Sequence, residues 1–176
     1  MRIYEGSPRQ DFEEVLRSIG AFLDQRGMQE VLLAEAPDGF IVQGLVVETG
    51  GSGGWSESMG GRHKETLTFL DDDIARFMEE ALARRAAGQA ASWAGSGYYE
   101  RAFRVIGRYM DEQKPRDIFF FEQDGAFVVR LLLGAPGGAK HALVEFTRDD
   151  IEAMIDQGPS LRQVEGPSPT APGAAR

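Results

Sequence analysis

Two histidines, His63 and His141, each stand beside a lysine, Lys64 and Lys140. An imidazole next to an ammonium suits an anion, so His63, Lys64, Lys140 and His141 form a candidate anion site. The competing reading is that basic residues blunt the start of an exposed strand, and this reading is favoured. No second histidine or carboxylate accompanies either one at ligand spacing, so no metal site is expected. Cysteine is absent. That excludes disulfides, thiolate zinc, iron–sulfur clusters and a cysteine nucleophile. Serines cluster in loops, and neither histidine sits in a Ser or Asp motif, so no nucleophile–base–acid set emerges. The balance leans against an enzyme, and no cofactor is implied.

Thr49–Gly61 is rich in glycine. Glycine-rich loops can bring backbone N–H groups to a phosphate. A P-loop, however, needs Gly-Lys-Ser/Thr opening a helix, and here Gly61-Arg62-His63-Lys64 leads into an expected strand. A strand–strand loop is the reading that fits. Trp55 and Met59 are unusual in such a loop, and with Gly53 and Gly54 they make a candidate ligand or partner loop. Asp71-Asp72-Asp73 and Asp149-Asp150 stand at expected helix starts, where carboxylates complement the dipole. The glycine and distal glutamate of a calcium loop are missing. Arg101, Arg104 and Arg108 share one helix face with acids nearby and read as a solvated face.

The elements that must position these residues come twice. With an offset of 87 positions, Phe12 meets Tyr99, Glu13 meets Glu100 and Arg17 meets Arg104. Gly20 then meets Gly107, Asp24 meets Asp111, Glu35 meets Glu122 and Phe40 meets Phe127. After the glycine-rich stretch the offset becomes 77, and Phe69 meets Phe146 while Asp72-Asp73-Ile74 meets Asp149-Asp150-Ile151. Each copy reads helix, strand, strand, strand, helix. The helices show 3.6-residue apolar stripes, Phe12 to Leu23 and Tyr99 to Met110. Ser7 and Pro8 are expected to open the first helix, and Thr147 to cap the last. Val31–Ala34 and Ile118–Phe121 are strands, followed by Asp38-Gly39 and Asp124-Gly125 as hairpin turns. Phe40–Glu48 and Phe127–Leu133 return, and Thr66–Phe69 and Ala142–Phe146 complete each set.

The expected fold is α+β. It is an internal duplication of an α-β-β-β-α unit about a pseudo-twofold, with helices packed on a mostly antiparallel sheet. The organisation is a first repeat at 1–83, a linker at 84–97, a second repeat at 98–157 and a disordered tail at 158–176. Several strands are apolar on both faces, whereas a sheet covered on one side alternates. The second face therefore needs a cover, and the other repeat is the first expectation. In element order alone, the unit resembles the secretion-chaperone-like fold of bacteria.

Net charge is −9 and the pI is about 4.8. Phosphate-backbone binders carry basic stripes, so nucleic acid is disfavoured as a partner. No apolar run is long enough to span a bilayer, and Met1–Gly6 lacks a signal-peptide core, so a cytoplasmic protein without a membrane partner is expected. No motif assigns an activity. The expected role is a non-catalytic protein-binding or assembly module, an adaptor or chaperone-like protein, with another protein or a homodimer as partner. The alternative is a small-molecule binder or enzyme with residues 50–61 as a lid over a cleft between the repeats.

Overall fold

Helix α1 (Phe12–Arg26) opens at Asp11, whose carboxylate accepts the Glu14 N–H at 3.0 Å. The capping residue is thus Asp11, which leaves Ser7 and Pro8 outside the described residues. An aspartate one position before an apolar stripe satisfies an orphan N–H directly. Gly27 ends the helix in the left-handed region at φ 69°. The computed structural model describes residues 11–47, 61–86, 97–135 and 137–155.

The chain continues through β1 (Met28–Ala36), β2 (Gly39–Val47), β3 (Arg62–Leu70) and α2 (Asp71–Ala86). The same order follows in α3 (Tyr98–Gln113), β4 (Asp117–Gln123), β5 (Ala126–Ala135), β6 (Gly138–Phe146) and α4 (Arg148–Ile155). The fold is α+β: four helices on a six-stranded antiparallel sheet ordered β3-β2-β1-β4-β5-β6. At its centre β1 pairs with β4, and Leu33 faces Phe120 as the middle pair.

Both outer strands are longer than their apolar cores. β3 starts at Arg62 and β6 at Gly138. Their polar first halves carry no period-2 apolar signal, yet they pair in register with β2 and β5. Asp124 and Gly125 form a two-residue turn with φ 52° and 78°, the primed geometry that follows strand twist. The first hairpin turns instead on Pro37 and Asp38, and Gly39 already pairs with Ala36. Thr147 caps α4: its Oγ accepts the Asp150 N–H at 3.2 Å, and the Asp150 carboxylate accepts the Thr147 N–H at 3.0 Å.

The core lies between the helices and one sheet face. Val15, Leu16, Ile19, Phe103 and Ile106 meet Leu33, Phe40, Phe120 and Phe127, all fully buried. Phe103 packs edge-on to Phe120 with ring centroids 5.0 Å apart. The described helices all pack on this one face, and among the described residues nothing forms a layer on the other.

Candidate functional site

The placement of the sheet's two halves is decided at the seam between α1 and α3. A Cβ built on Gly20 would lie 2.4 Å from the Tyr99 carbonyl oxygen, and one on Gly107 would lie 2.4 Å from that of Phe12. Only glycine permits this approach. Across the seam each helix finishes the other. Asp24 accepts the N–H groups of Tyr99 and Glu100 at 3.1 and 2.8 Å. Asp111 accepts those of Phe12 and Glu13 at 2.7 and 2.9 Å. The carboxylates satisfy orphan donors at each first turn and meet the positive end of each dipole. Burial pushes both acids above their ordinary range, against these hydrogen bonds.

Ion pairs follow the same reciprocity. Arg17 donates to Glu100 at 3.0 Å, and Arg104 donates to Glu13 at 2.9 Å. Arg108 adds a bond to Glu13 at 2.9 Å. Burial opposes the charge on Glu13, but hydrogen bonds from Arg108 and then Arg104 hold its carboxyl below its ordinary range. The arginine face of α3 is therefore not simply solvated. Arg104 and Arg108 join the seam because α1 crosses where they point, and Arg101 lies 3.6 Å from Glu152 of α4. Two of these contacts have no counterpart: the Arg108 bond, since the aligned residue is Ala21, and one made by Tyr99. The Tyr99 hydroxyl donates to Glu122, while the aligned Phe12 has none to give. Burial, and then Glu122, push the Tyr99 phenol far above its ordinary value.

This seam sets the halves side by side, edge to edge through β1 and β4. The expectation that one half covers the other's second apolar face is overturned. The close helix approach makes one continuous sheet with both helix pairs on the same side. The helix-free face can be read as two rows across the strands. One runs Thr68, Ile41, Ala34, Phe119, Arg130, Leu143. The other runs Thr66, Gln43, Leu32, Phe121, Val128, Glu145. Leu143 is 72% exposed and Ile41 37%. Leu32, Ala34, Phe119, Phe121 and Val128 are half-buried, by each other rather than by the helices. The Phe119 and Phe121 rings sit 6.0 Å apart, and the Arg130 guanidinium lies 5.1 Å from the Phe119 ring centre. Arg130 is exposed, and at an exposed site such a contact is worth about 0.5–1 kcal/mol.

The candidate anion residues are not brought together. His63 and Lys64 lie in β3 and Lys140 and His141 in β6, at opposite edges of the sheet. Five inter-strand steps separate them, about 24 Å, so no single anion spans both pairs. Strand alternation also divides each pair: Lys64 and His141 face the helix-free side, while His63 and Lys140 face the other. Gly53, Gly54, Trp55 and Met59 fall outside the described residues, as do the tail from 158 and most of the expected linker. Among the described residues no cluster of three or more metal-ligating side chains occurs, and no helix is long and apolar enough to cross a membrane.

A cleft of about 370 Å³ opens between the halves, lined by Asp24, Met28, Tyr98, Tyr99, Glu122 and Arg148 among others. The Arg148 guanidinium lies 5.1 Å from the Tyr98 ring centre. The Tyr98 hydroxyl is buried with no hydrogen-bond partner among the described residues. The helix-free face was signalled in the sequence by two-sided apolar strands. The cleft was not, because its residues come from four stretches far apart in the chain.

No protein-family model, curated protein or solved structure matches the chain.

Proposed function

We propose that this chain is a non-catalytic protein-binding or assembly module, adaptor or chaperone-like, working through the helix-free face of its sheet. The observation that carries the reading is the apolar centre of that face, Leu32, Ala34, Phe119, Phe121, Ile41 and Val128, which no described element covers. Antiparallel sheets that face water alternate apolar and polar residues. A contiguous apolar patch rimmed by polar groups marks an interaction surface. Here Thr66, Thr68, Lys64, Arg130 and Glu145 supply the rim.

We also read the chain as a duplicated α-β-β-β-α unit, with repeats at 1–83 and 98–157. Support comes from the residues aligned at the 87-position offset. Glu13 and Glu100, Arg17 and Arg104, Gly20 and Gly107, and Asp24 and Asp111 make the same contacts in exchanged roles. Leu33 and Phe120, aligned with each other, pair at the centre. A pseudo-twofold normal to the sheet there would relate the two rows of the open face.

The test is retention of partners on immobilised full-length chain, compared with Ile41→Asp and Val128→Asp. Each substitution puts a charge on the open face without entering the core. The expected result is loss of the retained protein at an unchanged melting temperature. Identical retention by all three proteins sinks the reading. The cleft beside Tyr98 favours a second reading, a small-molecule binder. A bound ligand that protects Tyr98 and Arg148 in hydrogen exchange, and that Tyr98→Phe weakens, would support it instead.

A further inference from the structure

We propose that the occupant of the helix-free face is a second copy of this chain, stacked sheet on sheet. The proposal rests on the binding role given to that face above and names its partner. Size is the first argument. Outer strands five steps apart span about 24 Å, and nine-residue strands run about 30 Å. The face is therefore roughly 700 Å², and two of them bury roughly 1,400 Å², within the range of about 1,200–2,000 Å² for stable specific interfaces.

Shape is the second argument. Small Ala34 lies level with large Phe119, and Leu32 lies level with Phe121. A face of alternating heights interdigitates with a rotated copy of itself, as inner faces of stacked sheets do at about 10 Å.

Charge is the third. The chain carries −9. Its acids crowd the helical layer: Glu13, Glu14, Asp71, Asp72, Asp73 and Glu100 among them. Stacking by the open faces turns both helical layers outward. Two sheets about 10 Å apart then lie between the acidic layers, more than the screening length of about 8 Å.

An isologous pair can turn about an axis along the strands or across them. Turning along the strands lays β3 over the partner's β6. Cross-strand pairing puts Thr66 level with Glu145, and Lys64 is the next residue on that face of β3. Lys64 then meets the partner's Glu145, twice per dimer. Turning across the strands would lay β3 over the partner's β3 with the direction reversed, which sets Lys64 opposite the partner's Leu70 and gives it no carboxylate. The axis along the strands is the one proposed.

Sedimentation equilibrium of the full chain over a dilution series tests this. The expected wild-type mass is that of two chains. Phe121→Asp, at the centre, should weaken association about thirtyfold or more, the effect of losing an interface hot spot. Leu143→Asp, at an exposed edge position, repeats the test should Phe121→Asp not fold. Lys64→Glu and Glu145→Lys should each weaken the dimer, and the double variant should restore it. A wild-type monomer at the highest attainable concentration overturns the proposal. So does a dimer indifferent to both Phe121→Asp and Leu143→Asp, and a charge-swap double no tighter than its singles overturns the stacking axis. Carbene footprinting of a monomer separates the two readings. Labelling of Phe119 and Phe121 leaves the binding face standing with a different protein as occupant, while protection of both rings in the monomer removes the binding face as well.

Discussion

Alanine at Gly20 sets two effects against each other with opposite signs. Gly20 is inside α1, and there alanine is favoured over glycine by about 1 kcal/mol. An exposed helix position would be stabilised. At Gly20 the new Cβ would stand 2.4 Å from the Tyr99 carbonyl oxygen and 2.6 Å from its carbon. Ordinary contact begins near 3.4 Å, so the helices must part by about an ångström. No flexible side chain can swing away, because the obstruction is backbone. Overpacking costs about 1–3 kcal/mol, and a backbone obstacle puts this site at the upper end. Parting the helices also stretches the Asp24 bonds to Tyr99 and Glu100. The net expectation is a loss of about 2 kcal/mol, a fall in melting temperature of roughly 4–8 °C at this chain length. Gly107→Ala should lose a similar amount, because its Cβ would meet the Phe12 carbonyl oxygen at the same 2.4 Å. Thermal and urea denaturation followed by circular dichroism measure both. A variant as stable as the parent, or more so, would mean that helix propensity outweighs the contact and that the close approach does not hold the halves together.

Lys114 ends α3 at φ 48°, where the aligned Gly27 ends α1. Lys114→Gly should raise stability by up to about 1 kcal/mol in urea denaturation, since glycine adopts this conformation without the Cβ penalty. Tyr99→Phe removes the hydroxyl that Glu122 accepts. It should destabilise the fold by about 1–3 kcal/mol in the same assay, and no loss would show that water replaces the donor fully. Asp111 has a folded pKa raised above its ordinary 3.8 by burial, so the native state holds its proton more tightly than the unfolded chain. Its contribution is present in full below that ordinary value and shrinks as pH rises through the higher folded value. Stability of the parent relative to Asp111→Asn should therefore fall as pH rises across that window. A parent that gains on the variant with rising pH would reverse the sign.

The element order and the hairpins were legible because the stripes, the turn residues and the offset of 87 are local patterns. Glu13, Arg17, Gly20 and Asp24 stood out in the sequence as identities with Glu100, Arg104, Gly107 and Asp111. Their shared role did not, since every one of these contacts joins residues far apart in the chain. The same gap misread Arg104 and Arg108, whose partner Glu13 lies in the other half. The two-sided apolar strands announced a face in need of a cover. They could not say whether the halves meet face to face or edge to edge. That choice belongs to two glycines, Gly20 and Gly107, whose mid-helix placement and mutual alignment do not say which backbone they approach. The polar beginnings of β3 and β6 were missed for a simpler reason: edge strands held by ladder hydrogen bonds need no apolar alternation.

The reciprocal caps on α1 and α3 also bear on synthesis at the ribosome. When the first half has emerged, two N–H groups at the start of α1 still lack the carboxylate of Asp111, and β1 has an open edge. Local contacts cannot complete this half, so it waits tens of residues for its counterpart. During that wait the matching surface of any neighbouring nascent chain is available in the same form. Crowded polysomes should therefore favour exchange of halves between chains, and slow dilution should return them to their own partners.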